Sequence, residues 1–402
     1  MVPYGLDQLL AKSAPHRMPL SGAAEKIAKE IASRGAISFA RFMELALYCP
    51  VCGYYEKEED TIGRRGDYYT SVSVGSLFGE LLAFQFAEWL GAKAQPGAGL
   101  APGEPSAEPV EIVEAGAHRG ELARDILTWM RRQRQGLFQR LTYWIVEPSD
   151  RRRQWQETTL ADFGGKVRCA KGLSQLASEP AGHLASVHRI VFANELLDAL
   201  PVHRLGWDAK ARTWFEWGVT LQEGRFVWTP LSGEASSLTR HASLATLSPQ
   251  LETVLPDSFT IEVCPAAEEW WRLAGSVVPR GRLLTIDYGH TTEQLLAPER
   301  KEGTLRAYRR HQLSGDVLAD PGEQDITAHV NFSAVQAAGE SAGLQTEAFV
   351  TQEQFLTHIA TRVWEAEGSF GGWTAQHTRQ FQTLTHPEHL GRAFRVLIQG
   401  RP

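Results

Sequence analysis

The stretch "VEIVEAGAHRG" (110–120) joins an apolar run to an acidic residue and two glycines, Gly116 and Gly120. The apolar run predicts a buried strand, and residues 119–135 predict a helix that follows it. Dinucleotide-binding loops often carry a third glycine between these two, because the backbone must approach a pyrophosphate closely. His118 lies in that part of the loop instead. The stretch therefore predicts a strand–loop–helix unit with an incomplete pyrophosphate loop.

Short apolar segments alternate with helical patterns along the rest of the chain. Besides 110–116, strands are predicted at 142–149, 189–201 and 282–289, with 346–352 and 393–399 as candidates for the far edge. Strands separated by helices favour a parallel sheet with helices on both faces. Alternating aromatic and polar residues at 202–232 predict an antiparallel insertion in this α/β fold.

The composition changes divide the chain into three parts. Residues 1–90 form an N-terminal segment with helices predicted over 22–33, after Ser38 and from about Ser76. A linker rich in Gly, Pro and Ala covers 91–109. The α/β core follows at 110–402 and carries the β insertion at about 202–250.

Composition and charge narrow the functional classes. The chain has 402 residues, 43% of them hydrophobic, and a formal net charge of −6, which does not favour a broad nucleic-acid-binding face. No apolar run approaches the length of a membrane span. The first twenty residues resemble neither a signal peptide nor a transit peptide, so a cytoplasmic location is predicted.

The chain contains four cysteines, of which Cys49 and Cys52 form a C-x-x-C pair. Such a pair is compatible with a redox site or with half of a metal site, but no second pair completes a zinc set. We favour a structural role for the pair and predict no metal site. The low cysteine content indicates a reducing compartment.

Acidic side chains close three predicted strands, whose carboxyl ends meet where open parallel sheets bind ligands. They are Glu114, Glu147 and the cluster at 194–198. Glu114 would repel a phosphate but suits an amine, and Glu147 can accept both hydroxyls of a ribose. S-adenosylmethionine has an amine and a ribose diol and no phosphate, so we favour it over a purely structural loop. For Glu147, an acid at a helix N-terminus is an equally simple interpretation.

Several sequence blocks extend this interpretation from residue 22 to the C-terminus. They are "ALYCPVCGYY", "GDYYTSVSVGSLFGE", "VEIVEAGAHRGELARDIL", "FANELLDALPVHR", "LLTIDYGH", "GTLRAYRRH" and "DITAHVNFSAV". In this order they resemble the MidA-like family of S-adenosylmethionine-dependent methyltransferases. That family includes the mitochondrial protein arginine methyltransferase that helps to assemble respiratory complex I.

The resemblance implies a Rossmann-like methyltransferase sheet of seven strands, with an N-terminal helical cap that folds over the cofactor. It implies that S-adenosyl-L-methionine is the cofactor, and that the methyl acceptor is an arginine of a protein such as a complex I subunit. The residues that would line the cofactor site are Gly66, Asp67, Tyr69, Thr70, Ser71, Glu114, Gly116, Gly120 and Glu147. Asn194, Glu195 and Asp198 would face the reacting group as catalytic residues.

Three positions depart from the family pattern. The first loop, close to G-P-G-R-G in the family, has Ala117 and His118 between its glycines. A proline and a carboxylate are absent from "TSVSVG" (70–75), and Asn331 replaces an acid in "HVNF" (329–332). These changes are compatible with a divergent enzyme and with a member that binds without catalysing.

Paired carboxylates suit a reaction at arginine, because they can fix the planar guanidinium and stabilise the change of charge during attack. "NELLDALP" (194–201) places Glu195 and Asp198 one turn apart if a helix starts there. Simple helix capping by Asn194 is the alternative, and the resemblance leads us to favour the site. For His203 and His329 we favour polar packing over roles as bases.

Two functions from other classes stay open at this point. One is a non-catalytic assembly or scaffold protein that uses the cofactor cleft to hold a partner. The other is a nucleic-acid amine methyltransferase, which would carry a proline–aromatic motif after the third strand to hold a flipped base. Leu196 and Leu197 stand there, and the chain is acidic, so we rank this function last.

Overall fold

In the computed structural model, the described residues are 22–57, 70–91, 108–178, 187–232, 235–239, 241, 244, 254–309, 312–366 and 368–401. Nearly all of the predicted linker lies outside them, as do three predicted cofactor residues, Gly66, Asp67 and Tyr69. No helix formed by the described residues is both long and apolar enough to cross a bilayer.

The N-terminal helices begin where local sequence signals place them. Ser38 caps the second helix by accepting a hydrogen bond from the backbone N–H of Arg41. Helices before the middle of the chain are α1 (Gly22–Arg34), α2 (Phe39–Tyr48), α3 (Leu77–Gly91), α4 (Glu121–Gln133), α5 (Gln135–Arg140), α6 (Asp150–Thr159) and α7 (Leu173–Ala177). Later helices are α8 (Ser236–Thr239), α9 (Pro265–Ser276), α10 (Thr292–Leu295), α11 (Phe332–Ser341), α12 (Gln352–Glu365) and α13 (Ala375–Thr385).

The strands in the described part of the chain form three sheets. The central sheet contains β2 (Val110–Ala115), β3 (Leu141–Val146), β4 (Val167–Ala170), β5 (His188–Asn194), β10 (Gly281–His290), β14 (Val330–Asn331), β15 (Gln345–Thr351) and β16 (Phe394–Arg401). A second sheet contains β1 (Ile37–Ser38), β6 (His203–Asp208), β7 (Thr213–Gln222), β8 (Arg225–Pro230) and β9 (Thr260–Val263). A third contains β11 (Arg306–Arg309), β12 (Gln312–Leu313) and β13 (Asp325–Thr327).

The central sheet runs in the order β15-β16-β10-β5-β2-β3-β4, with β14 paired to the end of β10. Strands β4, β3, β2, β5 and β10 are parallel, and β16 is antiparallel to both of its neighbours. The predicted α/β class is confirmed. The count of seven strands that the family resemblance implied is not confirmed, because the two-residue strand β14 adds an eighth.

Both faces of the central sheet are buried. Ile112 packs on the face that α3 and α4 cover, whereas the next residue, Val113, packs on the opposite face with residues of α9 and α11. Successive side chains of a strand point to opposite faces, so a strand covered on both sides is apolar throughout. This explains why the apolar residues of β2 occupy both faces, whereas its two glutamates are buried against polar partners, Glu111 with Arg189 and Glu114 with Tyr143.

The second sheet confirms the predicted antiparallel hairpins at 202–232 and joins them to the N-terminal segment. Strand β1 pairs antiparallel with β7. Next to it, the ring of Phe39 lies 4.9 Å from that of Trp228, and the ring of Phe42 lies 5.7 Å from that of Phe226. Helix α2 is therefore packed on the insertion, and its last residue, Tyr48, donates a hydrogen bond to the carbonyl of Ala199 at 2.9 Å.

Strand β5 ends earlier than the sequence predicted. It was expected over 189–201 but stops at Asn194, because Glu195 has a φ of 53° in the left-handed region, where a strand cannot continue. A short 3-10 helix, Leu197–Ala199, follows in place of an α-helix. Glu195 and Asp198 are thus brought together by a sharp turn and not by one turn of an α-helix.

Candidate active site

A cavity of about 130 Å³ lies at the carboxyl ends of β2 and β5. Five of the predicted residues line it: Thr70, Glu114, Gly116, Asn194 and Glu195. Its wall also includes Tyr48, Tyr55, His118, Arg119 and Arg152, which the predicted set did not contain. The predicted residues Ser71, Gly120 and Glu147 are not part of its lining.

Glu114 brings a buried carboxyl group to this cavity. Its side chain belongs to β2, is 3% exposed, and accepts a hydrogen bond from the hydroxyl of Tyr143 at 2.7 Å. Burial raises the pKa of Glu114 to about 7, although the Tyr143 hydroxyl acts in the opposite direction. A cation placed in the cavity would favour the ionised form of this group.

The loop between Gly116 and Gly120 is held in left-handed backbone conformations. Gly116 has a φ of 74° and Gly120 a φ of 82°. A Cβ atom on Gly116 would lie 3.0 Å from the Cδ1 of Leu196, so the loop approaches the turn after β5 closely. His118 has a φ of 46°, a conformation that glycine adopts more readily, and the centroid of its ring lies 6.0 Å from that of Trp155.

Glu147 lies behind the loop at the end of β3. It is 2% exposed and accepts hydrogen bonds from the backbone N–H of Ser149 at 3.0 Å and from the amide of Gln156 at 3.4 Å. The same Gln156 amide donates to the carbonyl of His118 at 2.9 Å. Burial raises the pKa of Glu147. The carboxyl group therefore supports the loop, and its contact with a ribose stays a prediction.

Ser71 connects the N-terminal segment to the end of β5. Its backbone N–H donates to Oε1 of Glu195 at 3.1 Å, and its hydroxyl donates to Gln352 at 3.0 Å. The side chain is fully buried, so it positions a neighbour and does not face the cavity. Next to it, Ser73 and Thr70 exchange hydrogen bonds of 2.8 to 3.1 Å that stabilise this turn without the proline and carboxylate of the family pattern.

Glu195 is an acidic residue that lines both this cavity and a second one. Its Oε1 accepts hydrogen bonds from Ser71 and, at 3.1 Å, from the amide of Asn194. Its Oε2 is buried and has no hydrogen-bond partner among the described residues. Burial raises the pKa of Glu195 to about 8, a value to which the negative charges of Asp287 and Asp325 contribute. One oxygen is fixed, and the other is available to a ligand.

The second cavity measures about 710 Å³ and shares Glu195 and Tyr55 with the first. Asp198 and Asp325 line it, together with Tyr288 and Tyr308. Burial and the charges of the neighbouring carboxyl groups raise the pKa of Asp198 well above its ordinary value. Arg306 also lines the cavity, but the three carboxyl groups outnumber this one guanidinium. Together with the aromatic walls they suit a further cation with an apolar stem.

Two acidic residues of this site were not singled out from the sequence. Asp287 accepts backbone hydrogen bonds from Leu196 at 3.1 Å and Leu197 at 2.8 Å, which fixes the turn after β5. Burial raises its pKa to about 7. Asp325 accepts a hydrogen bond from the hydroxyl of Tyr55 at 2.6 Å. Both lie in blocks that carry the family resemblance, which was the one signal available for them.

His203 and His329 lie in different surroundings, and Asn331, one of the altered family positions, caps a helix. His203 pairs with Glu216 at 2.7 Å and lines neither cavity, in agreement with polar packing. His329 lines the second cavity, and burial lowers its pKa to about 4, so the ring is neutral at pH 7. Asn331, which replaces a family acid, accepts a hydrogen bond from the backbone of Ala334 and caps α11.

The chain is similar to known proteins over most of its length. A protein family described as S-adenosyl-L-methionine-dependent methyltransferase matches residues 81–350. Protein arginine methyltransferase NDUFAF7, mitochondrial, from Mus musculus is 30% identical, over 83% of this chain and 73% of the relative. The protein of the same name from Homo sapiens is 27% identical, over 94% of this chain and 83% of the relative.

Two crystal structures of one superfamily from Burkholderia thailandensis are also similar. The structure bound to S-adenosyl-homocysteine has a TM-score of 0.75 and 29% identity, over 94% of this chain and 92% of that chain. A native structure has a TM-score of 0.73 at the same identity, over 94% of this chain and 91% of that chain.

These comparisons confirm the family resemblance and the predicted cofactor, S-adenosyl-L-methionine. They contradict the predicted cytoplasmic location, because the curated relatives are named as mitochondrial proteins. The prediction was wrong because it was based on the absence of recognisable targeting features in the first twenty residues, and their absence does not identify a compartment.

Proposed function

Because the chain belongs to the family of S-adenosyl-L-methionine-dependent methyltransferases that matches residues 81–350, we propose that it methylates a guanidinium nitrogen of an arginine in a protein. The observation that carries this proposal is the position of Glu195, which lines both cavities and has one oxygen without a partner among the described residues. The names of the curated relatives support the same substrate class.

The first cavity fits the cofactor chemically. Its Glu114 carboxyl group suits the α-amine, and the bend at Gly116 exposes the end of β2 to a ligand. The cavity volume of about 130 Å³ is smaller than the roughly 300–1,000 Å³ of small-molecule sites, so its wall would have to open to admit the whole cofactor. S-adenosyl-L-methionine supplies an activated methyl group, and the protein binds, orients and excludes water.

The second cavity would receive the arginine side chain. A guanidinium presents its N–H donors in one plane, so it can bind Glu195 and a second carboxyl group at the same time. Asp198 and Asp325 line the same cavity and can act as that second group. The rings of Tyr288 and Tyr308 can pack against the apolar stem of the side chain. A volume of about 710 Å³ leaves room for neighbouring peptide atoms.

Two other functions are less well supported. A non-catalytic scaffold does not require a carboxyl group that lines both cavities and has one oxygen without a partner among the described residues, as Glu195 does. A nucleic-acid methyltransferase would need a basic surface, whereas the net charge is −6 and three carboxyl groups line the second cavity against one arginine. A protein substrate remains the proposal, and a subunit of respiratory complex I is the candidate that the family resemblance implies.

The test is methyl transfer from labelled S-adenosyl-L-methionine to a protein lysate, followed by hydrolysis and separation of methylated amino acids. We expect label in methylarginine and none in methyllysine, because an ammonium group cannot form the planar bidentate contact. The Asp198→Asn variant should lose most of this label. Glu216→Gln is the matched control, because Glu216 pairs with His203 and lines neither cavity. Label in methyllysine would contradict the proposal, whereas full activity of Asp198→Asn would assign the second carboxyl group to Asp325.

A further inference from the structure

The C-x-x-C pair forms a tight turn between α2 and the next short helix. The backbone N–H of Cys52 donates to the carbonyl of Cys49 at 3.2 Å, and the two Sγ atoms are 2.8 Å apart. A turn of this kind holds the Cα atoms of its first and fourth residues within about 7 Å, close to the range that a disulfide spans. Both cysteines are free thiols in this structure. The backbone has therefore already placed the two sulfur atoms side by side.

This turn is held against an unfavourable backbone conformation. Val51 has a φ of 73° and is 79% exposed. The position suits glycine or asparagine in a turn with proline before it, and a β-branched residue there is strained by about 1–3 kcal/mol. Packing of the Val51 side chain cannot offset this strain, because the side chain lies largely in solvent. The turn persists in spite of this strain, and its distinctive result is the proximity of Cys49 and Cys52.

A positive charge lies next to the less exposed sulfur. The ammonium group of Lys26, on α1, is 2.9 Å from the Sγ of Cys49. Cys49 is 3% exposed, whereas Cys52 is partly accessible to solvent. The accessible sulfur can be approached by a small disulfide, and the buried sulfur with its adjacent cation is placed to attack next. Burial and the hydrogen bond with Cys49 raise the pKa of Cys52, so its access to solvent, and not its thiolate content, makes it the first sulfur to react.

We propose that Cys49 and Cys52 are a reversible dithiol site that exchanges with small-molecule disulfides such as glutathione disulfide. The Cys52 thiolate attacks one sulfur of glutathione disulfide, which forms a mixed disulfide and releases one glutathione. Cys49 then attacks the Cys52 sulfur, closes the intramolecular disulfide and releases the second glutathione. Two cysteine thiols are oxidised, one glutathione disulfide is reduced to two glutathiones, and the two thiol protons go to the released thiolates.

A metal site explains these cysteines less well. Thiolate sites for structural zinc need four ligands, and among the described residues no group of three or more His, Cys, Asp or Glu is placed to hold a metal. The other two cysteines are at different places, with Cys169 exposed and Cys264 half-buried. The pair therefore contains both sulfur atoms that the exchange requires and needs no further ligand.

The turn is also next to the candidate active site. Tyr48 immediately precedes it, Tyr55 follows Cys52 by three positions, and both rings line the first cavity 5.5 Å from each other. The cysteines themselves are not part of the lining of either cavity. Replacing them should leave basal methyl transfer unchanged, so the thiol chemistry can be measured independently of catalysis.

The experiment uses the purified, fully reduced chain with Cys169 replaced by serine, in glutathione buffers of graded ratio, with acid quenching, alkylation and peptide mass spectrometry. We expect the peptide that carries Cys49 and Cys52 to lose two hydrogen atoms and to be restored by dithiothreitol. With Cys49→Ser in addition, Cys52 should stop at the mixed disulfide and gain one glutathionyl group. Lys26→Met should slow the second step and let the mixed disulfide accumulate.

Three results would overturn the proposal. The first is that the pair stays reduced at a glutathione disulfide concentration that is high enough to modify Cys169 fully. Modification of Cys169 is measured in the protein that retains this cysteine. Another is a mixed disulfide at Cys52 that persists in the presence of Cys49 as strongly as in its absence. The third is loss of circular dichroism on oxidation, because the disulfide would then form only in unfolded chains. Cys264→Ser serves as the folded control variant, since that cysteine lies far from the turn in sequence and packs against the carbonyls of Leu200 and Pro201.

Discussion

Replacing Glu195 by glutamine should raise stability and abolish turnover in the same protein. Burial raises the pKa of Glu195 from 4.5 to about 8, so ionisation in the folded state is disfavoured. Each tenfold change in an ionisation constant corresponds to about 1.4 kcal/mol, which gives an upper limit of about 5 kcal/mol for this group. Glutamine keeps an oxygen to accept from Ser71 and Asn194, and it carries no charge at any pH.

The sign follows from the direction of the pKa change. Below pH 4.5 the carboxyl group is protonated in both the folded and unfolded chain, so it causes no difference. Between pH 4.5 and 8 the unfolded chain releases a proton that the folded chain retains, and the stability of the wild type falls with rising pH. Glu195→Gln lacks this loss, so its free energy of unfolding should exceed that of the wild type by about 3 kcal/mol at pH 7 and at most about 5 above pH 8.

The assay combines urea unfolding at pH 5 and pH 8 with calorimetry of S-adenosyl-homocysteine binding and with methyl transfer to protein. We expect nearly unchanged cofactor affinity and a fall in turnover by orders of magnitude. Glu216→Gln, whose carboxyl group lies outside both cavities, should show neither effect. An equal stability difference at the two pH values would refute the electrostatic argument. Loss of cofactor binding would assign Glu195 to the cofactor, and full activity would remove it from the reaction.

Three further predictions test the surroundings of this residue. Turnover divided by KM for an arginine substrate should rise by up to about tenfold per pH unit toward pH 8 and then level off, because the cation binds the ionised form of Glu195. A flat pH profile would contradict this prediction. His118→Gly should raise the free energy of unfolding by up to about 1 kcal/mol, because glycine adopts a φ of 46° more readily than histidine does. Urea unfolding measures this change, and the control Ala117→Gly should lower the free energy of unfolding. Glu147→Gln should weaken calorimetric cofactor binding by about 1.5–3 kcal/mol if this group holds the ribose, and unchanged affinity in a folded variant would leave it a support for the loop.

Local signals predicted much of the fold. The cap at Ser38, the apolar runs of the parallel strands and the aromatic alternation of the insertion each depend on neighbouring residues, so each is readable from a short window. The bend at Glu195 was not predicted, because a left-handed glutamate carries no pattern of its own. The helix that was assumed to bring Glu195 and Asp198 together is absent, although the two residues still reach the same cavity.

The site was predictable only in part, because its remaining contacts join distant parts of the chain. The hydrogen bond between Tyr55 and Asp325 spans 270 positions, and that from the backbone of Leu197 to Asp287 spans 90. No spacing rule relates residues so far apart; the three-dimensional fold alone brings them together. The acidic residue at each strand end was visible in the sequence, whereas the number of carboxyl groups that share one cavity was not.

The number of carboxyl groups close to one another affects where the proton released by the proposed reaction can go. Transfer of a methyl cation to a protonated guanidinium gives a methylated guanidinium only if one proton leaves. Glu195, Asp198 and Asp287 lie close together, and burial raises the pKa of each of them, to about 8 for Glu195 and about 7 for Asp287. When a guanidinium binds, its positive charge would neutralise these carboxyl groups in place of one of their protons, which leaves one group as a carboxylate. That carboxylate can accept the proton that methyl transfer releases. A single exposed carboxylate, with its ordinary pKa, would hold the guanidinium but would be a much poorer proton acceptor near neutral pH.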